Sequence, residues 1–231
     1  VSVQDCGKER PILWWGSSNL NPPRAISIAN DEMKADDFLR RASAGEGFVW
    51  RGDFQNAKNL LQAVSRRIQK KATSKKSNEL TAAELFHRHR LQQVHRAQIL
   101  SRLLIEIDED LKINLPRAPD IVEAAQSVMD WSQDAKNLHR QNFLLSLKDL
   151  LGFIGASEWR KKGVFIPALA DRIHPFHSVY SPARGEYLDL IADCPLEMNL
   201  GRAFDIGTGT GVIAALLAKR GFERIVATDT S

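Results

Sequence analysis

Three glycines alternate with other residues at Gly207, Gly209 and Gly211, and an aspartate lies on each side of them in the chain, Asp205 before and Asp229 after. Glycine at every second position indicates a backbone that turns tightly and lies open against a ligand. An acid at the carboxyl end of the following strand is the group that accepts hydrogen bonds from a ribose diol in open α/β sheets. These residue types at this spacing predict a binding site for a cofactor that contains adenosine.

The elements that must position these residues follow from the pattern around the glycines. Residues 203–206 form a short apolar run that indicates a strand, and residues 212–219 are apolar at helical spacing. Gly221 is typical of the residue that ends such a helix. Residues 224–228 are β-branched enough to form a second strand. The stretch therefore predicts a strand, a loop over residues 207–211 that we call the glycine loop, a helix and a second strand. This succession is the start of a doubly wound α/β domain.

Two kinds of adenosine cofactor fit this pattern. Residues 209–214 satisfy the dinucleotide fingerprint with alanine in its last place, and Asp229 follows Gly209 by 20 residues, which suits a nicotinamide-dependent oxidoreductase. Against that, Asp205 with the three glycines resembles the first motif, Asp-x-Gly-x-Gly-x-Gly, of class I S-adenosylmethionine-dependent methyltransferases. A carboxylate disfavours a nearby pyrophosphate but favours a cofactor that carries an amino group and a sulfonium. The sequence favours S-adenosylmethionine, and the nicotinamide cofactor remains the alternative.

A second segment carries a similar resemblance, residues 179–187 with the sequence VYSPARGEY. It resembles the element that precedes the first catalytic strand in small-domain methyltransferases, the group that includes the HemK-like protein-glutamine enzymes and several rRNA base methyltransferases. The resemblance implies that Tyr180 and Arg184 help to wall the cofactor pocket. The alternative is a surface hairpin in which Tyr180 and Tyr187 only pack.

The resemblance also implies an activity, methyl transfer from S-adenosylmethionine to a nitrogen of a protein glutamine or of an rRNA or DNA base. Backbone amides of the glycine loop would seat the methionine and ribose parts of the cofactor. Asp229 would accept its ribose hydroxyls, and Asp205 would support the loop or the cofactor's amino group. No catalytic residue is assigned. The cofactor-binding residues that the resemblance implies are Asp205, Gly207, Thr208, Gly209, Gly211, Asp229, Tyr180 and Arg184.

Upstream, the sequence predicts an irregular N-terminal segment over residues 1–30 and an all-α recognition domain over residues 31–160. Apolar residues recur on one face of a helix between residues 54 and 68, and Thr81 with Glu84 forms a capping box before a helix predicted to run to about Ile107. A further helix is predicted over about 135–151. Residues 161–231 would then be the N-terminal part of a Rossmann-like catalytic domain. This domain order resembles that of the HemK-like enzymes.

The catalytic domain is expected to be truncated after its second strand. A doubly wound sheet needs about five or six strands, and only two can be fitted before Ser231. We expect the Asn-Pro-Pro-Tyr-like motif of the family to lie beyond Ser231. The chain alone is therefore expected to be inactive as an enzyme.

Positive charge is uneven along the chain. Residues 1–120 hold twenty Lys and Arg against fifteen Asp and Glu, and residues 63–76 hold six cations and no acid. Such a face can bind the phosphates of a nucleic acid, and it can equally be a solvated helix surface. A macromolecular methyl acceptor, protein or RNA or DNA, could dock on this domain. A nucleic-acid-binding adaptor with an inert catalytic half is the alternative function from another class.

The composition is that of a soluble intracellular protein, with 43% hydrophobic and 26% charged residues. No apolar run reaches the roughly 18 residues of a membrane span, and no signal peptide is expected. Cys6 and Cys194 are far apart in sequence, which suits a reducing compartment. His87, His89 and His95 lack the spacing of a zinc motif. We expect a cytoplasmic protein without a metal site.

Overall fold

The computed structural model describes residues 1–5, 8–16, 21–73, 81–129, 141–177, 179, 185–195 and 200–230. The chain divides into two compact units, unit 1 over Val1–Phe153 and unit 2 over Ile154–Ser231. Helices and strands occur in both units, so the described part of the chain is mixed α/β, as the sequence predicts. No helix within these ranges is long and apolar enough to cross a membrane.

Unit 1 contains a five-stranded sheet and a separate antiparallel hairpin. The hairpin strands are β1 (Ser2–Asp5) and β2 (Lys8–Pro11). The sheet strands are β3 (Leu13–Trp15), β4 (Ala25–Ala29), β5 (Glu46–Trp50), β6 (Leu103–Ile107) and β7 (Phe143–Ser146). Their order is β3-β7-β6-β5-β4, where β4, β5 and β6 are parallel, β7 is antiparallel to β6, and β3 is parallel to β7.

Helices connect the parallel strands, because parallel neighbours cannot be joined by a tight turn. Those that begin within unit 1 are α1 (Ala35–Ser43), α2 (Phe54–Thr73), α3 (Ala82–Leu100), α4 (Val122–Met129) and α5 (Leu147–Lys162). The connection from β4 to β5 is made by α1, and α2 and α3 lie between β5 and β6 in the chain. The last two pack against each other, and the Arg96 guanidinium on α3 donates a 2.8 Å hydrogen bond to the Ser65 hydroxyl on α2.

The central strands of unit 1 are short, nearly continuous apolar runs. This pattern is typical of strands that are covered on both faces, and such strands form the core of the unit. Phe48, Leu103 and Leu144, from three different strands, are fully buried. One cluster joins the N-terminal region to the sheet and contains Val3, Ile12, Ile26, Val49, Leu104 and Leu144.

The predicted all-α domain over residues 31–160 is wrong, because β5, β6 and β7 lie within it. The predicted long helix ends at Leu100, and Ser101 follows as its C-cap. Residues 103–107 instead pair with β5 on one side and β7 on the other. Their sequence, Leu-Leu-Ile-Glu-Ile, continues the helical spacing of the preceding apolar residues, but a short apolar run of this length also suits a buried strand.

Two further predictions for this region are corrected in the same way. The helix predicted over 135–151 begins at Leu147, because Phe143–Ser146 pairs as β7; residues 130–140 lie outside the described ranges. The first 30 residues, predicted to be irregular, contain β1 to β4. These strands are three to five residues long, which is too short for an alternating pattern to be recognised.

Unit 2 contains an antiparallel hairpin and a parallel strand pair. The hairpin is β8 (Val164–Ile166) and β9 (Asp171–Ile173), joined through a 3-10 turn over Pro167–Leu169. The remaining elements are α6 (Glu186–Asp193), β10 (Arg202–Ile206), α7 (Val212–Lys219) and β11 (Arg224–Thr228). Strands β10 and β11 are parallel in register Arg202 with Arg224 through Ile206 with Thr228.

The predicted succession of strand, glycine loop, helix and strand is confirmed by β10, α7 and β11. Helix α7 packs through Val212 and Leu216 into a small core. Its other buried members come from the 3-10 turn, β8 and α6: Ile166, Leu169 and Leu188. This core holds the start of α7, and therefore the end of the glycine loop, in place.

Candidate functional site

The glycine loop turns between β10 and α7 by means of residues with positive φ. Gly207, Gly209 and Gly211 have φ of +76°, +54° and +76°, a backbone region that residues with a Cβ rarely adopt. A Cβ placed on Gly207 or Gly211 would meet no atom within 4 Å among the described residues. The loop therefore exposes bare backbone to open space, as a loop that binds a ligand through its main chain must.

Hydrogen bonds from the loop to the end of β11 fix its position. The amides of Gly207 and Thr208 both donate to the carbonyl oxygen of Thr228, at 2.8 and 2.9 Å. The amide of Gly211 donates to the carbonyl oxygen of Thr208 at 2.9 Å and closes the turn. The carboxyl ends of the two parallel strands therefore converge on the loop.

Asp205 supports the loop from inside. Its side chain is buried, and its Oδ2 atom accepts hydrogen bonds from the Thr208 hydroxyl at 2.6 Å and from the Ala214 amide at 3.0 Å. The carboxylate thus joins the end of β10 to the loop and to the first turn of α7. Of the two roles that the sequence left open for Asp205, loop support is the one for which the structure provides contacts.

Asp229 reaches the same loop from the end of β11. Its Oδ2 atom accepts a hydrogen bond from the Gly209 amide at 2.7 Å, and its Oδ1 atom accepts one from the Thr230 amide at 2.7 Å. Residues 20 positions apart are thereby brought together, as the motif predicts. The Asp229 side chain is exposed, and a carboxylate oxygen can accept more than one hydrogen bond.

A cavity of about 310 Å³ lies beside the glycine loop. It is lined by Gly209 and Thr210 from the loop and by Ile173, His174, Pro175, Phe176 and Val179. The Thr210 hydroxyl is buried and has no hydrogen-bond partner among the described residues. Thr210 lines the cavity, and buried polar atoms in folded proteins are nearly always paired, so a small movement of this side chain would let a ligand in the cavity supply the missing partner.

Arg160 on α5 holds the wall of the cavity opposite the loop. Its guanidinium lies 3.4 Å from the centre of the Phe176 ring, and its carbonyl oxygen is 2.6 Å from Nδ1 of His174. Since a carbonyl oxygen only accepts, Nδ1 of His174 donates this hydrogen bond. Arg160 is a positioning residue that the sequence analysis missed, because nothing in its local pattern indicates that it contacts Phe176.

Tyr180 and Arg184, predicted to wall the pocket, lie outside the described residues, so that prediction stays open. Their neighbour Val179 lines the cavity. Tyr187, at the end of the same segment, packs against the small core that holds α7. The Thr210 hydroxyl was not predicted, although its position between two of the glycines could have drawn attention to it.

The carboxylates of Asp205 and Asp229 and the glycine backbone determine which ligands suit this site. Among the residues that the structure describes, no three His, Cys, Asp or Glu side chains form a group that could hold a metal ion. Two amides that could donate to a phosphate, those of Gly209 and Ala214, are already bonded to the carboxylates of Asp229 and Asp205. The site therefore disfavours a pyrophosphate and suits a ligand with cationic groups and hydroxyls.

Comparison with known proteins gives no family for this chain. No protein-family model matches it, and no curated protein matches its sequence. Its function must therefore be inferred from the residues and the geometry of the glycine loop.

Proposed function

We propose that the protein is an S-adenosylmethionine-dependent methyltransferase and that the glycine loop of unit 2 binds the cofactor. The observation that carries this proposal is the placement of two carboxylates around the loop: Asp229 accepts from the Gly209 amide, and Asp205 accepts from the Thr208 hydroxyl and from the Ala214 amide of α7. Carboxylates at these positions attract the amino group and sulfonium of this cofactor, whereas they would repel the pyrophosphate of a dinucleotide.

The cofactor would lie against the open backbone of the loop and bond mainly to side-chain groups, because the amides of Gly207, Thr208, Gly209 and Gly211 are already bonded within unit 2. The positive φ angles of the loop leave its backbone open where a side chain would occupy the ligand's place. Asp229 would accept the ribose hydroxyls while keeping the Gly209 amide in position, and the Thr210 hydroxyl would gain the partner that it lacks. Asp205 acts through the loop as a positioning residue.

When bound, S-adenosylmethionine supplies an electrophilic methyl group. The residues of this chain contribute orientation, because alignment of two reactants can lower a barrier by about 7 to 11 kcal/mol. The proposed acceptor is a nitrogen of a macromolecule, a protein glutamine or a nucleic-acid base. We assign no catalytic base.

The arrangement of β10, the glycine loop, α7 and β11 in unit 2 supports this proposal. A parallel strand pair joined by a helix, with a glycine loop after the first strand and an acid after the second, is the repeating unit of doubly wound nucleotide-binding folds. We propose that β10, α7 and β11 are the first elements of a Rossmann-like sheet. The described residues of unit 2 contain no further strand parallel to this pair.

The nicotinamide alternative keeps one specific observation in its favour, the dinucleotide fingerprint over residues 209–214 with an acid 20 residues after Gly209. Its weakness is electrostatic. The pyrophosphate would have to displace Asp229 from the Gly209 amide and lie near a second, buried carboxylate at Asp205.

Calorimetry with S-adenosylhomocysteine and with NADH separates the two cofactors. We expect S-adenosylhomocysteine to bind and NADH not to bind. Thr210→Val should weaken the binding of S-adenosylhomocysteine about two- to tenfold, because one hydrogen bond contributes roughly 0.5 to 1.5 kcal/mol. The same substitution should not lower the melting temperature, since the hydroxyl that it removes has no partner in the free protein.

Thr228→Val is the matched control, because it makes the same change at an exposed side chain of β11 that does not line the cavity. It should leave the affinity unchanged. Tight NADH binding without S-adenosylhomocysteine binding would overturn the proposal, as would equal affinities of the Thr210 and Thr228 variants.

A further inference from the structure

The positive charge of the chain is concentrated in one helix pair. Residues 54–100, which comprise α2, α3 and their link, hold ten Lys and Arg against two acids, a net charge of +8. All other residues together have a net charge of −4. The basic character of this protein is therefore a property of the α2–α3 pair and not of the surface in general.

Two cations of the pair are bonded within the fold. Arg67 pairs with Asp36 on α1 at 2.8 Å, and Arg96 bonds to Ser65 between the two helices. Arg66 and Arg90 are exposed side chains, one on each helix. The sequence of α2 contains no acid and that of α3 only Glu84, so the two helices themselves offer few acidic partners to their cations.

An exposed aromatic side chain lies on α3. Phe86 on α3 is 58% exposed. The Arg90 guanidinium lies 5.9 Å from the centre of its ring, and the His87 ring meets it edge-on at the same distance. Phe86, Arg90 and Val94 follow one another at intervals of four residues and so share a helix face, on which Val94 is also 54% exposed.

An exposed aromatic ring beside a guanidinium, on a basic helix pair, is an arrangement that can bind unpaired nucleotides. Cationic side chains contact the phosphates, and a base stacks on the aromatic ring or on a neighbouring guanidinium. An acidic protein segment would use the cations but would gain no stacking from Phe86. Double-stranded nucleic acid offers phosphates, but its bases are already stacked on one another.

We propose that the outer face of the α2–α3 pair docks a segment of RNA with unpaired nucleotides. Phe86 would stack on a base, and Arg66 and Arg90 would contact phosphates. The docking itself depends on unit 1 alone. Only the additional step, that the docked RNA carries the methyl acceptor, rests on the proposed function.

The test is fluorescence anisotropy with the full chain and a labelled oligouridylate of about 12 nucleotides, within the range of single-strand sites. We expect binding that weakens as salt rises. Phe86→Ala should weaken it at least about fivefold, the loss of one base–aromatic stack. The matched control is Leu91→Ala, which removes an even more exposed apolar side chain, 70% accessible, from another face of α3 and should leave binding unchanged.

The phosphate contacts are tested by salt dependence. Replacing Arg66 and Arg90 by glutamine should lower the slope of log affinity against log salt by about 1.4, since each phosphate contact to a single strand contributes about 0.7. Arg40→Gln, which removes an exposed cation from α1, should leave the slope unchanged.

Three results would overturn the docking proposal: no binding of the oligouridylate at low salt, equal effects of Phe86→Ala and Leu91→Ala, or a polyglutamate that competes as well as the RNA. The last result would indicate an acidic protein partner instead. Tighter binding of an oligothymidylate of the same length would equally contradict the choice of RNA. S-adenosylhomocysteine binding by the same samples is measured separately, so a failed cofactor site and a failed RNA surface are distinguishable.

Discussion

At the scale of single residues, buried or bonded carboxylates stabilise local structure within each unit. In unit 2, Asp229 accepts a hydrogen bond from the Gly209 amide of the loop, and Asp205 accepts from the Thr208 hydroxyl and from the Ala214 amide of α7, so the two carboxylates shape the glycine loop. Glu106 in unit 1 has a different role. It accepts hydrogen bonds from Arg10, Arg51 and Asn142, at 2.7, 2.6 and 3.0 Å, and joins the N-terminal hairpin to β6 and to the segment before β7.

Glu106 gives a prediction for stability against pH. Burial opposes ionisation of this carboxyl, but the hydrogen bonds from Asn142, Arg10 and Arg51 outweigh it and lower its pKa. A carboxyl whose pKa is lower in the folded state stabilises the fold above its unfolded pKa, and this contribution is lost as pH falls through the folded value. Glu106→Gln should therefore lower the free energy of unfolding at pH 7 by about 1 kcal/mol, since both guanidinium groups are partly exposed to screening solvent.

The measurement is urea unfolding of both proteins at pH 7 and at a pH of about 3, below the ordinary pKa of a glutamate. The difference between them should shrink at the acidic pH. Glu109→Gln, at an exposed position three residues after Glu106, should have almost no effect at either pH. A difference for Glu106→Gln that stays constant with pH would contradict the role assigned to its charge.

At the scale of elements, the glycine loop depends on backbone conformation rather than on space. Two glycines with equally open surroundings separate these two causes. Gly211 in the loop has φ of +76°, whereas Gly155 lies inside α5. A Cβ on either residue would meet no atom within 4 Å. Gly211→Ala should destabilise the protein by about 1 kcal/mol, because left-handed backbone is costly for a residue with a Cβ. Gly155→Ala should stabilise it by about 0.5 to 1 kcal/mol, because alanine is the better helix former.

Thermal or urea unfolding of the two variants measures this pair of opposite effects. Because the surroundings of both glycines are open, a steric clash cannot account for a difference between them. If both substitutions destabilised the protein, or both stabilised it, the positive φ angle would not be the reason that the loop requires glycine.

The elements also show what local sequence can and cannot predict. The helix of residues 212–219 and the strand of residues 224–228 were predicted with their observed bounds, since glycines mark both ends of the helix. The capping box of α3 was predicted too, and Glu84 accepts from the Thr81 amide at 2.8 Å while Thr81 accepts from the Glu84 amide at 3.3 Å. All of these signals lie within a few residues of the element that they define.

Strands β5, β6 and β7 were missed because pairing between distant segments decides them. Residues 103–107 fit the spacing of the helix before them, and only their pairing with residues near 48 and 145 makes them a strand. At the site, the two acids were found because they belong to a motif. A pocket wall from the segment around residues 179–187 was expected only from the resemblance, and Val179 of that segment lines the cavity; the fit of residues 173–176 against the loop depends on how they fold.

At the scale of the whole molecule, the two units differ in charge and in the ligands that they suit. Unit 1 holds 23 Lys and Arg against 19 Asp and Glu, whereas unit 2 holds nine of each. The net positive charge of the chain therefore belongs to unit 1, where the α2–α3 pair carries it. Unit 2 carries the glycine loop. This separation suits a protein in which one unit docks an anionic macromolecule and the other binds the cofactor.

The proposed binding of S-adenosylmethionine to the glycine loop of unit 2 is tested most directly by NMR. The ¹⁵N-labelled protein is titrated with S-adenosylhomocysteine, and the amide resonances of the protein are followed. We predict saturable shifts of Gly207, Gly209, Thr210, Gly211 and Asp229, with the sheet of unit 1 unaffected. NADH should leave these resonances in place. Shifts of the loop amides with NADH and not with S-adenosylhomocysteine, or shifts confined to unit 1, would contradict the account.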